Sequence, residues 1–179
     1  MPKHRVSVYI DGSNLYHKLK SLDISNTTNF NYKGLCEYLA RNRNIISLRY
    51  YTGAVKAKAG DSQSQQLRRR QQKLFSNLQN QGFEISRGYI MKNNETYHEK
   101  GVDVKIAIDI LIGAYDNLYD TAILLSSDTD LIPAIKKVRE LGKNIEYIGF
   151  AHQPSFGLQK HATRSFLLPK EDLEQFVNN

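Results

Sequence analysis

Features that define several common protein classes are scarce in this sequence. It holds one cysteine, Cys36, among 179 residues, which excludes an intramolecular disulfide and a zinc site built on paired thiolates. No apolar run reaches the roughly 18 residues of a transmembrane helix, and the N-terminal residues lack the apolar core of a signal peptide. We therefore expect a cytoplasmic protein with no membrane partner, in which Cys36 is a buried small apolar side chain.

The sequence patterns of several ligand sites are also missing. There is no glycine-rich phosphate loop of the Walker or dinucleotide type, and no nucleophilic triad can be identified. None of the five histidines, at positions 4, 17, 98, 152 and 161, has a metal-binding partner three or four residues later. This spacing argues against a zinc site.

The composition is that of a globular domain. Hydrophobic residues make up 40% of the chain and charged residues 24%, close to the average for folded proteins. The length suits one domain, and we find neither an internal repeat nor a long linker. We predict a single domain over 1–179, with its core at 5–168 and a closing helix at 170–177.

Positive charge exceeds negative charge, and the net charge is +7. Such a balance favours a polyanionic partner without identifying one. One segment, 56–73, carries six basic residues against a single acid, Asp61. It can be a solvated helix face or a surface that follows nucleic-acid phosphates. Its basic residues are Lys56, Lys58, Arg68, Arg69, Arg70 and Lys73.

Strand-like and helix-like segments alternate along the chain. Arg5–Ile10 is apolar and β-branched, as expected of a central parallel strand. Further strands are predicted at Ile45–Val55, Phe83–Ile90, Thr121–Ser126 and Asn144–Gly149. This alternation predicts an α/β fold, a three-layer sandwich with a central parallel sheet of about five strands.

Three other segments carry predictions that bear on the site. Met91–Lys100 is polar and is predicted to be mobile. Gly101–Tyr115 is predicted to be a largely buried helix, because apolar residues occur on nearly every side of it. Thr129–Leu141 is predicted to be a helix that ends at Gly142.

Acidic residues directly follow two of the predicted strands. Asp11 comes after the first strand, and Asp128 and Asp130 come after the fourth. Parallel sheets bind ligands beyond the carboxyl ends of their strands, where the strand order reverses. The order 3-2-1-4-5 would bring these acids into one pocket, with Asp103 from the preceding helix as the fourth member.

Each acid also has a simpler interpretation. Asp11 can satisfy backbone donors in a turn while Asn14 caps a helix, and Asp128 can itself be a helix cap. Asp103 and Asp130 can be first-turn acids that favour the positive end of a helix. Asp109 falls on one helical stripe with Lys105 and Asp116, which a solvated face explains.

The convergence of several carboxylates favours a bound cation. Two carboxylates about 4 Å apart repel by about 4 kcal/mol at an effective dielectric of 20, so a cluster requires protonation or a cation. Carboxylate, amide and hydroxyl oxygens suit Mg²⁺ or Mn²⁺. In a basic protein, such an ion can assist hydrolysis of a phosphodiester.

Three segments resemble the NYN domain family, a group of PIN-like and FLAP-nuclease-like proteins that includes the LabA-like bacterial group. They are Val-Ser-Val-Tyr-Ile-Asp-Gly-Ser-Asn-Leu (6–15), Lys-Gly-Val-Asp-Val (100–104) with Asp109, and Leu-Leu-Ser-Ser-Asp-Thr-Asp-Leu-Ile-Pro (124–133). The resemblance spans 5–168 and implies a Rossmann-like PIN fold with a metal-dependent ribonuclease centre. It implies catalytic and metal-binding roles for Asp11, Asp103, Asp128 and Asp130, with Asn14, Ser127 and Asp109 in support. Ser127 stands where the family more often has glycine.

Three functions follow from these observations. The first is an endoribonuclease that uses Mg²⁺ or Mn²⁺ and holds RNA with the basic residues of 56–73. The alternative is a non-catalytic module of the same fold that binds nucleic acid or a nucleotide. A phosphatase with Asp11 as nucleophile is the third, although Ser13 stands where a second acid is expected. A homodimer that uses Tyr89 or Tyr97 is also possible.

Overall fold

The computed structural model describes residues 4–24, 26–53, 60–93 and 96–177, and it describes only the backbone over 89–93 and 96–100. The described residues form eight strands, seven α-helices and two short 3₁₀ turns, the latter at Thr27–Asn29 and Thr129–Leu131. The strands are β1 Arg5–Asp11, β2 Asn44–Thr52, β3 Glu84–Arg87, β4 Tyr89–Asn93, β5 Thr96–Lys100, β6 Thr121–Leu125, β7 Asn144–Phe150 and β8 Arg164–Leu168. The helices are α1 Gly12–Ser21, α2 Tyr32–Ala40, α3 Ser62–Asn80, α4 Val102–Tyr115, α5 Ile132–Glu140, α6 Phe156–His161 and α7 Lys170–Glu174.

Six of the strands form one sheet in the order β3-β2-β1-β6-β7-β8. All neighbouring strands in this sheet are parallel. The predicted order 3-2-1-4-5 is therefore confirmed, and β8 adds a sixth strand at one edge. The chain moves outward from β1 to β3 and then returns to place β6 against β1. The strand order thus reverses between β1 and β6, where parallel sheets form their ligand crevice.

The helices cover the two faces of the sheet and enclose two apolar cores. Alternate residues of β1 point to opposite faces: Val8 and Ile10 belong to the core that includes α1 and α2, whereas Tyr9 belongs to the core beneath α4 and α5. Cys36 is fully buried in the first core, as predicted. Both faces of β1 and β6 are therefore covered, which explains their almost continuous apolar sequences.

Two segments differ from their predicted structure. Met91–Lys100 was predicted to be a polar, mobile segment with no strand, but most of it belongs to the antiparallel hairpin of β4 and β5. The second strand of this hairpin begins with Thr96 and Tyr97, residue types whose strand preference the overall polarity of the segment conceals. The helix predicted at Thr129–Leu141 is divided, because Pro133 lies at the start of α5 and Thr129–Leu131 forms a separate 3₁₀ turn.

The helix α4 is less buried than its composition predicts. Ile106, Ile110 and Ala114 pack against the sheet and are buried. The opposite side of the helix also carries large apolar residues, yet it faces solvent, and Ile108 and Ile112 are about half exposed. Apolar residues all round the helix thus do not mean that the whole helix lies within this chain's core.

Among the described residues, no helix combines the length and the apolar character that are needed to cross a membrane.

Candidate metal centre

The pairing of β1 with β6 places the two acidic segments side by side. Ile10 pairs with Leu125, so Asp11 and Ser126 leave the sheet next to each other. The Ser126 hydroxyl donates a hydrogen bond to Asp11 Oδ2 at 3.1 Å and accepts one from the Asp128 backbone N–H, also at 3.1 Å. Ser126 therefore connects the acid after β1 to the acidic segment after β6.

Three carboxylates form a compact group at this edge of the sheet. Asp103, Asp128 and Asp130 each place one carboxylate oxygen within 4.8 Å of the other two. We call them the acidic trio. Asp103 lies in the first turn of α4, which follows Gly101 in the left-handed conformation (φ 85°); this conformation is one that glycine adopts without steric cost.

Asp128 both belongs to the trio and caps the turn that follows it. Its Oδ1 accepts a hydrogen bond from the Asp130 backbone N–H at 2.9 Å. The capping interpretation and the cluster interpretation of Asp128 are therefore compatible. This bond also fixes the position of Asp128 beside Asp130.

Asp11 lies outside the acidic trio, although the sequence suggested one pocket for all four acids. Its side chain is inaccessible to most solvent, and its Oδ1 accepts the Asn14 backbone N–H at 3.0 Å, which caps α1. Burial raises the pKa of Asp11, and the charge of Asp128 adds to this effect, while hydrogen bonds from Asn14 and Ser126 oppose it. Asp11 is therefore the buried anchor of the site.

The acidic trio has the composition of a site for a hard divalent cation. None of the ion pairs among the described residues involves these carboxylates, so no basic side chain of the described residues forms an ion pair that offsets their mutual repulsion. Asn14 and Ser127 stand close in sequence to Asp11 and Asp128, and each has a buried side-chain oxygen. Neither Asn14 Oδ1 nor Ser127 Oγ has a hydrogen-bond partner in the described part of the chain. An all-oxygen set of this kind fits Mg²⁺ or Mn²⁺.

The sequence suggested that Asp109 either supports the acidic site or lies on a solvated helix stripe, and the structure places it in neither position. The Tyr51 hydroxyl donates to Asp109 Oδ2 at 2.7 Å, and Arg49 Nη1 lies 3.2 Å from the same oxygen. Its side chain is only 14% exposed, so it is not part of a solvated stripe. Asp109 joins α4 to β2 and does not belong to the acidic trio.

The basic residues of α3 are exposed, as a surface for polyanions requires. Arg68, Arg69, Arg70 and Lys73 all face solvent. Arg69 and Lys73 line an open groove of about 640 Å³ between α3 and the turn that contains Thr28 and Asn29. Lys56 and Lys58 lie outside the described residues, as do the side chains of Tyr89 and Tyr97.

The arrangement of the site agrees with a match to a known family. The family model described as "NYN domain" matches residues 5–168. The chain belongs to the NYN domain family. This assignment confirms the resemblance in the three sequence segments, and it gives the chain a PIN-like nuclease fold.

Two relatives of this NYN domain show how far the similarity extends. An uncharacterized protein of Methanocaldococcus jannaschii is 29% identical over 185 residues, which cover 99% of this chain and 63% of that protein. The chain thus spans less than two thirds of this relative's length. A crystal structure of a protein of unknown function from Vibrio parahaemolyticus has a TM-score of 0.68 and 21% identity, and the match covers 93% of both chains. It shows that the fold is shared.

Three residues of this NYN domain were not identified from the sequence. Ser126 lies inside a recognised acidic segment, but its role depends on the pairing of β1 with β6. Arg49 and Tyr51 reach Asp109 only because alternate residues of β2 point toward α4. The sequence offers one signal for these three residues, namely that Ser126 directly follows a buried strand.

Proposed function

We propose that this NYN domain is an endoribonuclease that depends on Mg²⁺ or Mn²⁺. The observation that supports it is the acidic trio, a group of unpaired carboxylates at the switch point of a nuclease-type sheet. The net charge of +7 adds the long-range attraction that a polyanionic substrate needs. Few other substrates would suit both a cation-binding acidic site and a basic surface.

Each residue of the site has a role in this proposal. Asp103, Asp128 and Asp130 hold the ion or ions. When bound there, a divalent cation would supply a water of lowered pKa as the nucleophile and would stabilise the charge on the phosphodiester. Asp11 acts as a positioning residue, because it fixes Asp128 through Ser126 and fixes the start of α1 through Asn14.

The basic side chains of α3 are proposed to hold the flanking phosphates. Arg69 and Lys73 face a common groove with hydroxyl and amide side chains, which can bond to phosphate and sugar oxygens. Arg68 and Arg70 are also exposed and raise the local positive potential. In this proposal the basic side chains of α3 hold the substrate, and the acidic trio holds the metal.

The contacts of Asp11 do not favour the phosphatase alternative. A nucleophilic carboxylate must present one oxygen to the substrate, but both oxygens of Asp11 accept hydrogen bonds within the protein. Ser13 also supplies no second acid. The non-catalytic module remains the alternative that the following experiment distinguishes.

The test uses purified protein and an end-labelled single-stranded RNA with Mn²⁺, Mg²⁺ or EDTA. We expect metal-dependent cleavage within the chain of the RNA, and a loss of at least about 100-fold in rate for Asp128→Asn and Asp103→Asn, because several kcal/mol of charge stabilisation is lost. Glu171→Gln removes an exposed carboxylate far along the chain and should cleave normally. Equal cleavage by Asp128→Asn would disprove the mechanism. RNA binding that survives EDTA, without turnover in any metal, would favour the non-catalytic module.

A further inference from the structure

One large aromatic residue beside the acidic trio is almost completely exposed. Phe156 is 78% accessible to solvent, more than any other large hydrophobic side chain in the described part of the chain. It is the first residue of α6, which follows β7, and the carboxyl end of β7 lies at the same edge of the sheet as Asp11 and Ser126. The proposed function gives this ring no role.

The backbone at Phe156 lies close to the acidic segment. A Cβ atom added to Gly157 would lie 3.3 Å from Thr129 Cγ2 and 3.3 Å from Ile132 Cδ1. Thr129 stands between two members of the acidic trio, Asp128 and Asp130. The missing side chain at Gly157 therefore allows α6 to begin in contact with the turn that carries the metal-binding acids.

The exposure of Phe156 does not reflect a loosely held loop. Lys18 Nζ donates to the Gln153 backbone oxygen and to Gln153 Oε1, at 3.2 and 2.9 Å. The Ser155 backbone N–H donates to the Tyr147 hydroxyl at 3.0 Å. The segment before Phe156 is thus fastened to α1 and to the sheet, so the ring is held in solvent by an ordered backbone.

Positive charge lies along α6. Lys160 is exposed four residues after Phe156, so the two side chains lie on one face of α6. Burial and the positive charges of Lys136, Lys160 and Arg139 lower the pKa of His161, which shows that these cations gather at the end of α6. An exposed aromatic ring with a cation on the same helix face is a combination that can bind unpaired nucleotides, because the ring stacks on a base while the cation meets a phosphate.

We propose that Phe156 stacks on an unpaired base of the RNA. This inference rests on the proposed function for the identity of the substrate, but it concerns binding and not cleavage. A base in a duplex is already stacked and cannot offer its face to Phe156. The site would therefore select unpaired segments whose next phosphate can reach the acidic trio.

The sequence contains no tryptophan, which allows a direct measurement. Phe156→Trp introduces a single fluorophore at the proposed stacking position, and Tyr38→Trp introduces one on α2, at a 41% exposed position far along the chain from the acids. Each variant is titrated in EDTA with a single-stranded RNA of about 10 nucleotides, with the same RNA as a duplex, and with inorganic polyphosphate. We expect quenching only for Phe156→Trp, with the single strand far more effective than the duplex or polyphosphate.

Affinity measurements on further variants complete the test. We expect Phe156→Ala to weaken single-strand binding by between about 5-fold and 100-fold, the range observed for one stacked base, whereas Phe156→Tyr should bind as the natural protein does. Bound RNA without quenching, or unchanged affinity of Phe156→Ala, would overturn the stacking proposal. Quenching without cleavage in any metal would retain it and refute the nuclease. Absence of RNA binding would refute both.

An independent observation concerns the exposed side of α4. Val104, Ile108, Ile112 and Tyr115, here called the outer face of α4, recur at helical spacing and are 48–61% exposed. Ile46 and Leu118 extend the surface and line a groove of about 340 Å³ with Ile112. A continuous apolar surface of this kind on a folded domain marks a site of protein association.

The charges beside this face indicate which partner covers it. Lys105 and Asp116 are eleven residues apart, which is about three helical turns, so they lie on the same side of the outer face, one near each end. Neither belongs to an ion pair among the described residues. Two antiparallel α4 helices related by a twofold axis near position 110 would place Lys105 of each copy beside Asp116 of the other. Such self-complementarity is what a symmetric dimer requires.

We infer that the outer face of α4 binds a second copy of the chain. Sedimentation at about 50 µM should give twice the 20.5 kDa mass, and Ile108→Asp should give a monomer with an unchanged melting temperature. Leu67→Asp, at a 48% exposed position on α3, should remain a dimer.

The charges provide a second test, which does not depend on the apolar variant. Lys105→Asp should weaken the dimer by about 10-fold, and the exchanged pair Lys105→Asp with Asp116→Lys should restore it. A monomeric natural protein, or a charge exchange that does not restore the dimer weakened by Lys105→Asp, would overturn the inference.

Discussion

At the scale of single residues, the buried Asp11 carboxylate makes stability depend on pH. Burial raises its pKa, so the folded chain binds this proton more tightly than the unfolded chain does. Its contribution to stability is therefore fully present below the unfolded pKa, near 3.8, and is lost as the pH rises through the raised pKa of the folded state. Near neutral pH, the charged Asp11 is a cost to the metal-free protein.

We predict that Asp11→Asn melts at a higher temperature than the natural protein at pH 7.5 without metal, by a few °C. Asparagine removes the buried charge and retains an oxygen to cap α1. The difference should shrink as the pH falls toward 4, because Asp11 then becomes protonated. Melting curves from pH 4 to 8 in EDTA test this prediction, and a constant difference over this range would contradict it.

The adjacent serines of the acidic segment provide a matched pair. Ser126→Ala leaves Asp11 Oδ2 and the Asp128 backbone N–H without their partner, so we predict a loss of about 1–3 kcal/mol in the free energy of unfolding. Ser127→Ala removes a buried hydroxyl that has no partner in the described residues and should change the metal-free stability by less than about 0.5 kcal/mol. Urea unfolding in EDTA measures both. Similar losses for the two variants would show that Ser126 is not the connecting residue.

At the scale of secondary-structure elements, α4 carries two acids with separate tasks. Asp103 lies in the first turn and belongs to the acidic trio, whereas Asp109 is held by Arg49 and Tyr51 of β2. One helix therefore brings a carboxylate to the acidic trio and also fixes its own position against the sheet. This division predicts opposite responses to two similar substitutions.

We predict that Asp109→Asn lowers the metal-free free energy of unfolding by about 1–3 kcal/mol, because Arg49 loses the less exposed of its two acidic partners, Asp109 and Glu84. The stabilisation that added Mn²⁺ provides should remain. Asp103→Asn should leave the metal-free stability equal or higher, because it relieves repulsion within the acidic trio, and it should abolish most of the Mn²⁺ effect. Thermal unfolding with and without Mn²⁺ distinguishes the two variants. Loss of the Mn²⁺ effect in Asp109→Asn would place that residue in the metal site.

At the scale of the whole molecule, the proposed function separates negative and positive surfaces. The acidic trio lies at the carboxyl edge of the sheet, and the proposed phosphate contacts lie on α3. We predict that Arg69→Ala with Lys73→Ala reduces the slope of log affinity for single-stranded RNA against log salt by about 1.4, or about 0.7 for each lost contact. Lys143→Ala should not change this slope, because Lys143 precedes the first residue of β7 and so lies at the opposite edge of the sheet from the acidic trio. Equal slopes for all three proteins would exclude the α3 groove from binding.

The overall fold could be predicted from the sequence because β1 and β6 are apolar on both faces and helical segments separate the strands. The ligand crevice followed from the general rule for parallel sheets, and this rule correctly brought Asp103, Asp128 and Asp130 together. The rule does not specify which side chains of neighbouring buried strands face each other. Asp11, Ser126 and Asp109 depend on that detail, so their contacts could not be derived from spacing alone.

The surface of the molecule was harder to predict. The hairpin of β4 and β5 has no apolar side that the pattern could reveal, and the outer face of α4 looks like core in the sequence. Apolar periodicity reports that a surface needs to be covered, but not whether the same chain covers it. The predicted dimer contacts at Tyr89 and Tyr97 stay predictions.

The central claim is that the acidic trio binds a divalent cation. Crystals soaked in Mn²⁺ and measured near the manganese absorption edge test it most directly. The account predicts an anomalous peak between the carboxylates of Asp103, Asp128 and Asp130, within about 2.5 Å of their oxygens, and no such peak in crystals of Asp128→Asn. A saturating soak that leaves this position empty, or that places Mn²⁺ only elsewhere, would contradict it.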